Sequence, residues 1–258
     1  MDEHKDRVFL ITGSSSGIGE GIAVHLAKTG ARLSLTGRNN GNLEAVKEKC
    51  VKEGLSPDKV LLCAGDLTSR DFRKSLVEQT IGHFGRLDVL VNNAGMGKHM
   101  PISTETEENF DETMNVNIKV SVFSHTAGDT ISQGNERLHH QYIKYTVYLH
   151  IEGILKIPGN CSYSMSKAAM DAFTRGLALE LAPFGVRANT VRPGPIRSNF
   201  HRRDNFPGLG DEESYKNPSG RVGEQEDVAT VVSFLASDKA TYINGGDIVV
   251  DGGRYVQY

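Results

Sequence analysis

The chain has 258 residues, 38% of them hydrophobic, with 29 basic residues against 32 acidic ones and a formal net charge of -3. So small a charge gathers neither nucleic acid nor an anionic membrane; the start MDEHKDR has no apolar stretch of signal-peptide type, and no apolar run is long enough to span a bilayer. One soluble cytoplasmic domain is the expectation, and the uneven Cys50, Cys63 and Cys161 read as small buried or half-buried hydrophobes, so no metal is expected.

In chain order, VFLIT (8–12), ARLSLTG (31–37), KVLLCAGD (59–66), LDVLVNNAG (87–95), VRANTVRPG (186–194) and GGDIVVDGG (245–253) read as short buried parallel strands ending in small or polar residues. Segments of helical spacing lie between them, such as Ile22, Leu26 and Ala27 after the first strand, or Val228, Val231, Val232 and Leu235 before the last. Repeated strand-helix units with right-handed crossovers predict an α/β fold, a doubly wound parallel sheet of Rossmann type with helices on both faces. The polar stretch at about 195–220 follows a strand C-terminus, where such sheets bind ligands, and is expected to be a substrate lid.

TGSSSGIG (12–19) places Gly13, Gly17 and Gly19 between a strand and a helix. The free N–H groups and positive dipole of a helix N-terminus favour an anion, and glycine lets the backbone approach it. This motif resembles the glycine motif of the short-chain dehydrogenase/reductase family. NNAG (92–95), YSMSK (163–167), RPGPIRS (192–198) and DGG (251–253) follow in that family's order. The resemblance implies a nicotinamide dinucleotide held by Gly13, Ser15, Ser16, Gly17, Ile18 and Gly19, then by Asp66, Asn93, Ala94 and Gly95, and finally by Pro193, Gly194, Ile196 and Ser198. Read without it, Asp66 is equally an N-cap of the next helix. An acid about 20 residues after the glycines selects NAD by its ribose hydroxyl, whereas arginine accepts the 2′-phosphate of NADP. Here the second strand ends in Gly37 and Arg38, so NADP(H) is expected.

Tyr163 and Lys167 are four apart and share one helix face. A tyrosine of pKa about 10 exchanges a proton poorly near neutrality, and a neighbouring ammonium favours the phenolate. Tyr163 is therefore the candidate acid/base for a small-molecule alcohol or carbonyl. The resemblance adds that Lys167 bonds the nicotinamide ribose and that Asn117 completes a proton relay. It also implies a homotetramer or homodimer through the helix expected over 164–182, whose face carries Ala168, Ala169, Ala172, Phe173, Leu177 and Leu181.

One segment, about 119–155, departs from the family pattern. The family has a serine about 13 residues ahead of the tyrosine to hydrogen-bond the reacting oxygen; here His150 stands there, in YTVYLHI, which alternates as a strand does. Ser162 and Ser164 are expected to point away from the reactive face. Upstream, 125–141 stands in place of a long apolar helix yet contains Gly128 and Gly134. Read one nucleotide later, HHQYIKY (139–145) permits Ile-Ile-Asn-Ile-Ser-Ser-Ile, a string like the missing serine strand, which points to a gene-model or frame error. Two readings follow: an NADP(H)-dependent oxidoreductase, or an NADP(H)-binding protein of the same fold with impaired catalysis.

Overall fold

A computed structural model of the chain describes residues 3–127, 145–149, 158–198 and 217–257. Seven strands form one parallel sheet: β1 (Val8–Thr12), β2 (Arg32–Gly37), β3 (Val60–Ala64), β4 (Val89–Asn92), β5 (Tyr145–Leu149), β6 (Arg187–Pro193) and β7 (Asp247–Val250), in the order β3-β2-β1-β4-β5-β6-β7. The chain moves outward from β1 to β3, then returns to the other side of β1 with β4. Loops after β1 and β4 therefore diverge, leaving a crevice at the carboxyl edge. The strands are shorter than the apolar runs suggest at β3 and β4, because the tails 65–66 and 93–95 leave the sheet to line that edge.

Alternation of side chains divides the core into two layers. Phe9, Ile11, Leu33, Leu35, Val89, Val91, Val147 and Val191 face α1 (Gly17–Ala27), α2 (Asn40–Lys52) and the helix α7 (Gln225–Leu235). Val8, Leu10 and Leu90 face α3 (Arg70–Phe84), while Tyr148 and Ala188 meet α6 (Cys161–Leu181). The helices carry local stop and start signals: Asn39 caps α2, Ser69 caps α3, and Gly85 ends α3 in the left-handed region at φ 78°. Ser69, not Asp66, is thus the cap of α3, and Asp66 lines the crevice.

YTVYL, as written, fills the β5 position between β4 and β6. Its β-branched and aromatic residues suit a covered strand, and Tyr148 lies beneath α6 with its ring edge-on to Phe173 at 5.8 Å between centroids. The preceding α4 (Glu107–Met114), a π-turn (Asn115–Lys119) and α5 (Val120–Ala127) run into the aberrant segment, whose first residues are helical. His150, residues 128–144 with the frame-shift string up to 144, and 199–216 of the expected lid lie outside the described residues. Two expectations change. Helix α6 starts at Cys161 rather than 164, which puts Tyr163 in its first turn, and Cys161 is exposed while Cys50 and Cys63 are buried.

Near the N-terminus, His4 is fully buried, with Nε2 donating to the Ser233 carbonyl at 3.1 Å and within 2.9 Å of its hydroxyl. Its Nδ1 meets no hydrogen-bond partner, so a second proton would place an unpaired charge in the core. Burial accordingly holds its pKa down at about 4, against 6.5 for a free histidine. Because the unfolded chain binds this proton more readily, the stabilisation is complete above about pH 6.5 and is lost as pH falls toward 4. Relative to His4→Gln, the wild type should lose up to about 3 kcal/mol of unfolding free energy over that window. Urea unfolding of both proteins from pH 7 to 4 checks this, and a pH-independent difference would refute it.

Candidate active site

The site is built on a clamp between the ends of β1 and β4. Thr12 Oγ1 accepts the backbone N–H groups of Asn93 and Ala94, each at 3.0 Å, and Asn93 Nδ2 donates to the carbonyls of Thr12 and Gly13 at 2.9 and 3.0 Å. This draws the two loops so close that a Cβ on Gly13 would lie 2.9 Å from the Ala94 Cα, at a φ of +64° that side chains rarely adopt. A Cβ on Gly19 would lie 2.6 Å from the Gly13 carbonyl, so this glycine packs helix against loop. Ser16, the N-cap of α1, makes no side-chain cap bond, and the first N–H groups of α1 open toward the crevice.

A cleft of about 440 Å³ runs from this loop. Gly13, Ser15, Ser16, Gly17 and Ile18 line its floor, with Arg38 and Asp66 at one end and Asn93, Ala94 and Gly95 along one wall. Tyr163 and Lys167 line it as well, together with Pro193 and Ser198. Of the residues expected at a cofactor, Gly19, Gly194 and Ile196 lie behind this lining: Gly194 packs its backbone on Asp251, and the Ile196 side chain is in the core. Leu67, Thr68, Val116 and Leu149 also line the cleft without having been singled out. Arg73 shapes their end, donating to the carbonyls of Leu67 and Thr68 at 2.5 and 3.0 Å. Asp66 accepts the Thr68 N–H at 2.9 Å, and that bond is the main reason its carboxyl sits below the usual range, with Arg38 adding to it. An anion-favouring helix start, glycine backbone without side-chain cover and a guanidinium at the far end fit a phosphorylated dinucleotide.

Tyr163 and Lys167, one turn apart on α6, are both buried. Lys167 Nζ lies 5.3 Å from the centre of the Tyr163 ring and donates to the Leu149 carbonyl at 3.4 Å. Burial lowers the Lys167 pKa to about 8, with Asp171 opposing. Asn117 is in the middle of the π-turn and is buried beneath the cleft wall. Its Oδ1 accepts the Met96 N–H, while its Nδ2 donates to the Met96 carbonyl and to Ser166 Oγ, all at 2.9 Å. Ser166 Oγ in turn donates to the Tyr163 carbonyl at 2.7 Å. Ser166 is a site residue that the sequence reading missed; its place one turn after Tyr163 on the same face was the available signal. A Cβ on Gly95 would lie 3.3 Å from Lys167 Nζ and 3.4 Å from Asn117 Oδ1, so the three expected catalytic residues and this loop converge. Ser162, beside Tyr163, is buried and donates to Glu105 Oε2, which ties the start of α6 to the segment before α4.

Residues 13–254 match the family model described as enoyl-(acyl carrier protein) reductase. The chain is 35% identical to glucose 1-dehydrogenase of Gluconobacter oxydans, over 98% of this chain and 93% of that protein. It is 36% identical to 3-oxoacyl-[acyl-carrier-protein] reductase of Thermotoga maritima, over 97% of this chain and 98% of that one. The crystal structure of levodione reductase superposes with a TM-score of 0.87 at 32% identity, covering 99% of this chain and all of that one. By motif, fold and relatives alike, the chain belongs to the short-chain dehydrogenase/reductase family of oxidoreductases.

Proposed function

We propose that this protein is an NADP(H)-dependent oxidoreductase acting between a secondary alcohol and its ketone. The observation that carries the reading is the buried Tyr163–Lys167 pair at one end of a cleft whose other end holds Arg38. A bound nicotinamide supplies or takes up the hydride. The chain's own work is to hold the phosphates at Gly13 to Ile18, to orient the ribose from Lys167, and to move a proton at Tyr163 Oη to or from the substrate oxygen. Lys167, when protonated, favours the Tyr163 phenolate through its charge. Asn117 holds the loop at Met96 and, through Ser166, the first turn of α6. Gly194 and Ile196 support the cofactor end from behind. The relatives' names include a dehydrogenase of glucose and reductases of a 3-oxoacyl group and of levodione, which supports an alcohol or carbonyl substrate without selecting one. Cytoplasmic location accords with three free thiols.

His150 in the serine's place favours a second reading, cofactor binding with impaired catalysis. An imidazole of pKa about 6.5 is bulkier than a hydroxyl and a poor copy of it. NADPH binding without turnover across a carbonyl panel would select this second reading.

Tyr163→Phe should abolish turnover and leave NADPH affinity nearly unchanged, since only the hydroxyl is removed; steady-state rates and fluorescence titration measure the two. Arg38→Asp should weaken NADPH about ten-fold or more while NADH binds equally well or better, because it removes a charge-assisted bond and adds an acceptor for a free hydroxyl. Equal changes in both cofactors would remove Arg38 from the reading. Gly37→Asp is the less clean variant: its Cβ would lie 2.8 Å from Ser15 Oγ, so it also disturbs the glycine loop.

The expected oligomer face of α6 divides in two. Leu177 is buried and Phe173 and Leu181 pack partly in the core, while Ala168, Ala169 and Ala172 are exposed beside Met165 and Leu179, the last 79% exposed. That outward apolar row supports a homodimer or homotetramer. Light scattering at micromolar concentration should give a mass of two or four chains, and a monomer would refute it.

A further inference from the structure

Beneath the reactive pair lies a group of charges that the proton chemistry above does not use. Asp171 follows Lys167 by one turn on the buried side of α6. Its carboxylate accepts from Arg192 Nη2 at 2.6 Å, and the same guanidinium is paired with Asp247 at the start of the edge strand β7. Arg192 is in β6, next to the Pro193 that lines the cleft. The side chains of Asp171 and Arg192 are only 11% and 15% exposed, so water screens them weakly. A buried ion pair of this kind is seldom a net source of stability, but its field reaches the neighbouring buried groups.

Among the described residues, the groups around Lys167 Nζ include the Tyr163 ring, the Leu149 carbonyl, the Asn117 amide beyond Gly95, and Asp171. Glu112, another acid lining the cleft, is paired with Lys98, and Asp66 lies at the opposite end beyond β3. We propose that Asp171 is a positioning residue that keeps the proton on Lys167, and that Arg192 meters this effect by drawing part of the carboxylate's charge away. Burial pulls the lysine toward its neutral form and Asp171 pulls it back, which leaves its pKa lowered to about 8. The two members of one ion pair thus act on Lys167 with opposite sign. Loss of Asp171 removes the attraction, and loss of Arg192 exposes the lysine to the whole carboxylate. Asp247, the second acid on the same guanidinium, sets how much of Arg192 is left for Asp171.

The role assigned to Asp171 rests on the oxidoreductase reading only for its consequence, because the charge on Lys167 is measurable without substrate or cofactor. Trace acetic anhydride labels a neutral amine and not an ammonium, so the yield of acetyl-Lys167 against pH, read by peptide mass, reports its titration midpoint in the folded protein. Asp171→Asn should move that midpoint down by about one pH unit, Arg192→Met should move it up, and Arg192→Lys, which keeps the cation, should leave it near the wild type. Unchanged midpoints would overturn the proposal, as would shifts of the same sign in Asp171→Asn and Arg192→Met. If Arg192→Met does not fold, Asp171→Asn against Asp171→Glu decides alone, with the glutamate expected to restore the wild-type midpoint. The pH dependence of NADPH affinity in the same variants is the second measurement. Affinity that follows the labelling midpoint supports both readings, while labelling shifts without any such dependence would keep Asp171 in its role and remove Lys167 from the cofactor.

Discussion

The hydrogen-bonded clamp between Thr12 and Asn93 is the constraint on which the site depends. One hydroxyl and one amide side chain consume the polar groups at the ends of β1 and β4, the two strands between which the sheet reverses its winding. With these groups satisfied inside the protein, the glycine loop and the wall at 93–95 cannot part without exposing several buried donors and acceptors at once. The space left between them is therefore a fixed width, set by backbone on both sides. Charged and titratable side chains meet it toward its two ends, Arg38 and Asp66 at one and Tyr163 and Lys167 at the other. Rigid scaffolding at the centre with chemistry at the ends is the arrangement that lets one fold serve many substrates.

The parts of this arrangement that were readable in the sequence share a physical character. The glycine loop, NNAG, and Tyr163 with Lys167 are local patterns in which spacing alone brings groups together, and each lies on the cleft. Strand identity was legible from β-branched runs, but strand ends were not, since the small residues that leave the sheet at 65–66 and 93–95 have no composition that separates them from a strand tail. The doubled use of the Asn117 amide depends on Met96 and Ser166, which are 21 and 49 residues away. No spacing rule reaches that far. The Asp171–Arg192 contact likewise joins a helix to a strand 21 residues on, and in sequence it is only two charges among many. The assignment of Asp66 is a different case: cap and cofactor contact are equally compatible with its spacing, and the structure gives the cap to Ser69 and puts Asp66 on the cleft.

The departures from family pattern gather on β5 and its neighbours. As written, YTVYL satisfies the geometric needs of a central strand, with Val147 and Leu149 on one layer and Tyr148 on the other. Those needs are met within Tyr145–Leu149, so they do not bear on the exchange at position 150, which is a matter of chemistry. Burial of Tyr163 and Lys167, and the bonds from Asn117 through Ser166, are intact on the described side of the site.

The two-point grip of Asn117 on Met96 has a consequence for how this site tolerates exchange. A carboxamide offers an acceptor and a donor in a single plane, as a peptide group does, and here both are spent on the one residue Met96. Aspartate has the same outline but no N–H, and leucine has the same volume but neither function. Either would leave the Met96 carbonyl and Ser166 without their donor in the interior. Glutamine would carry the right atoms one bond too far. Position 117 is thus closed to its nearest chemical neighbours, a lock with a single key cut from the same material as the backbone it secures.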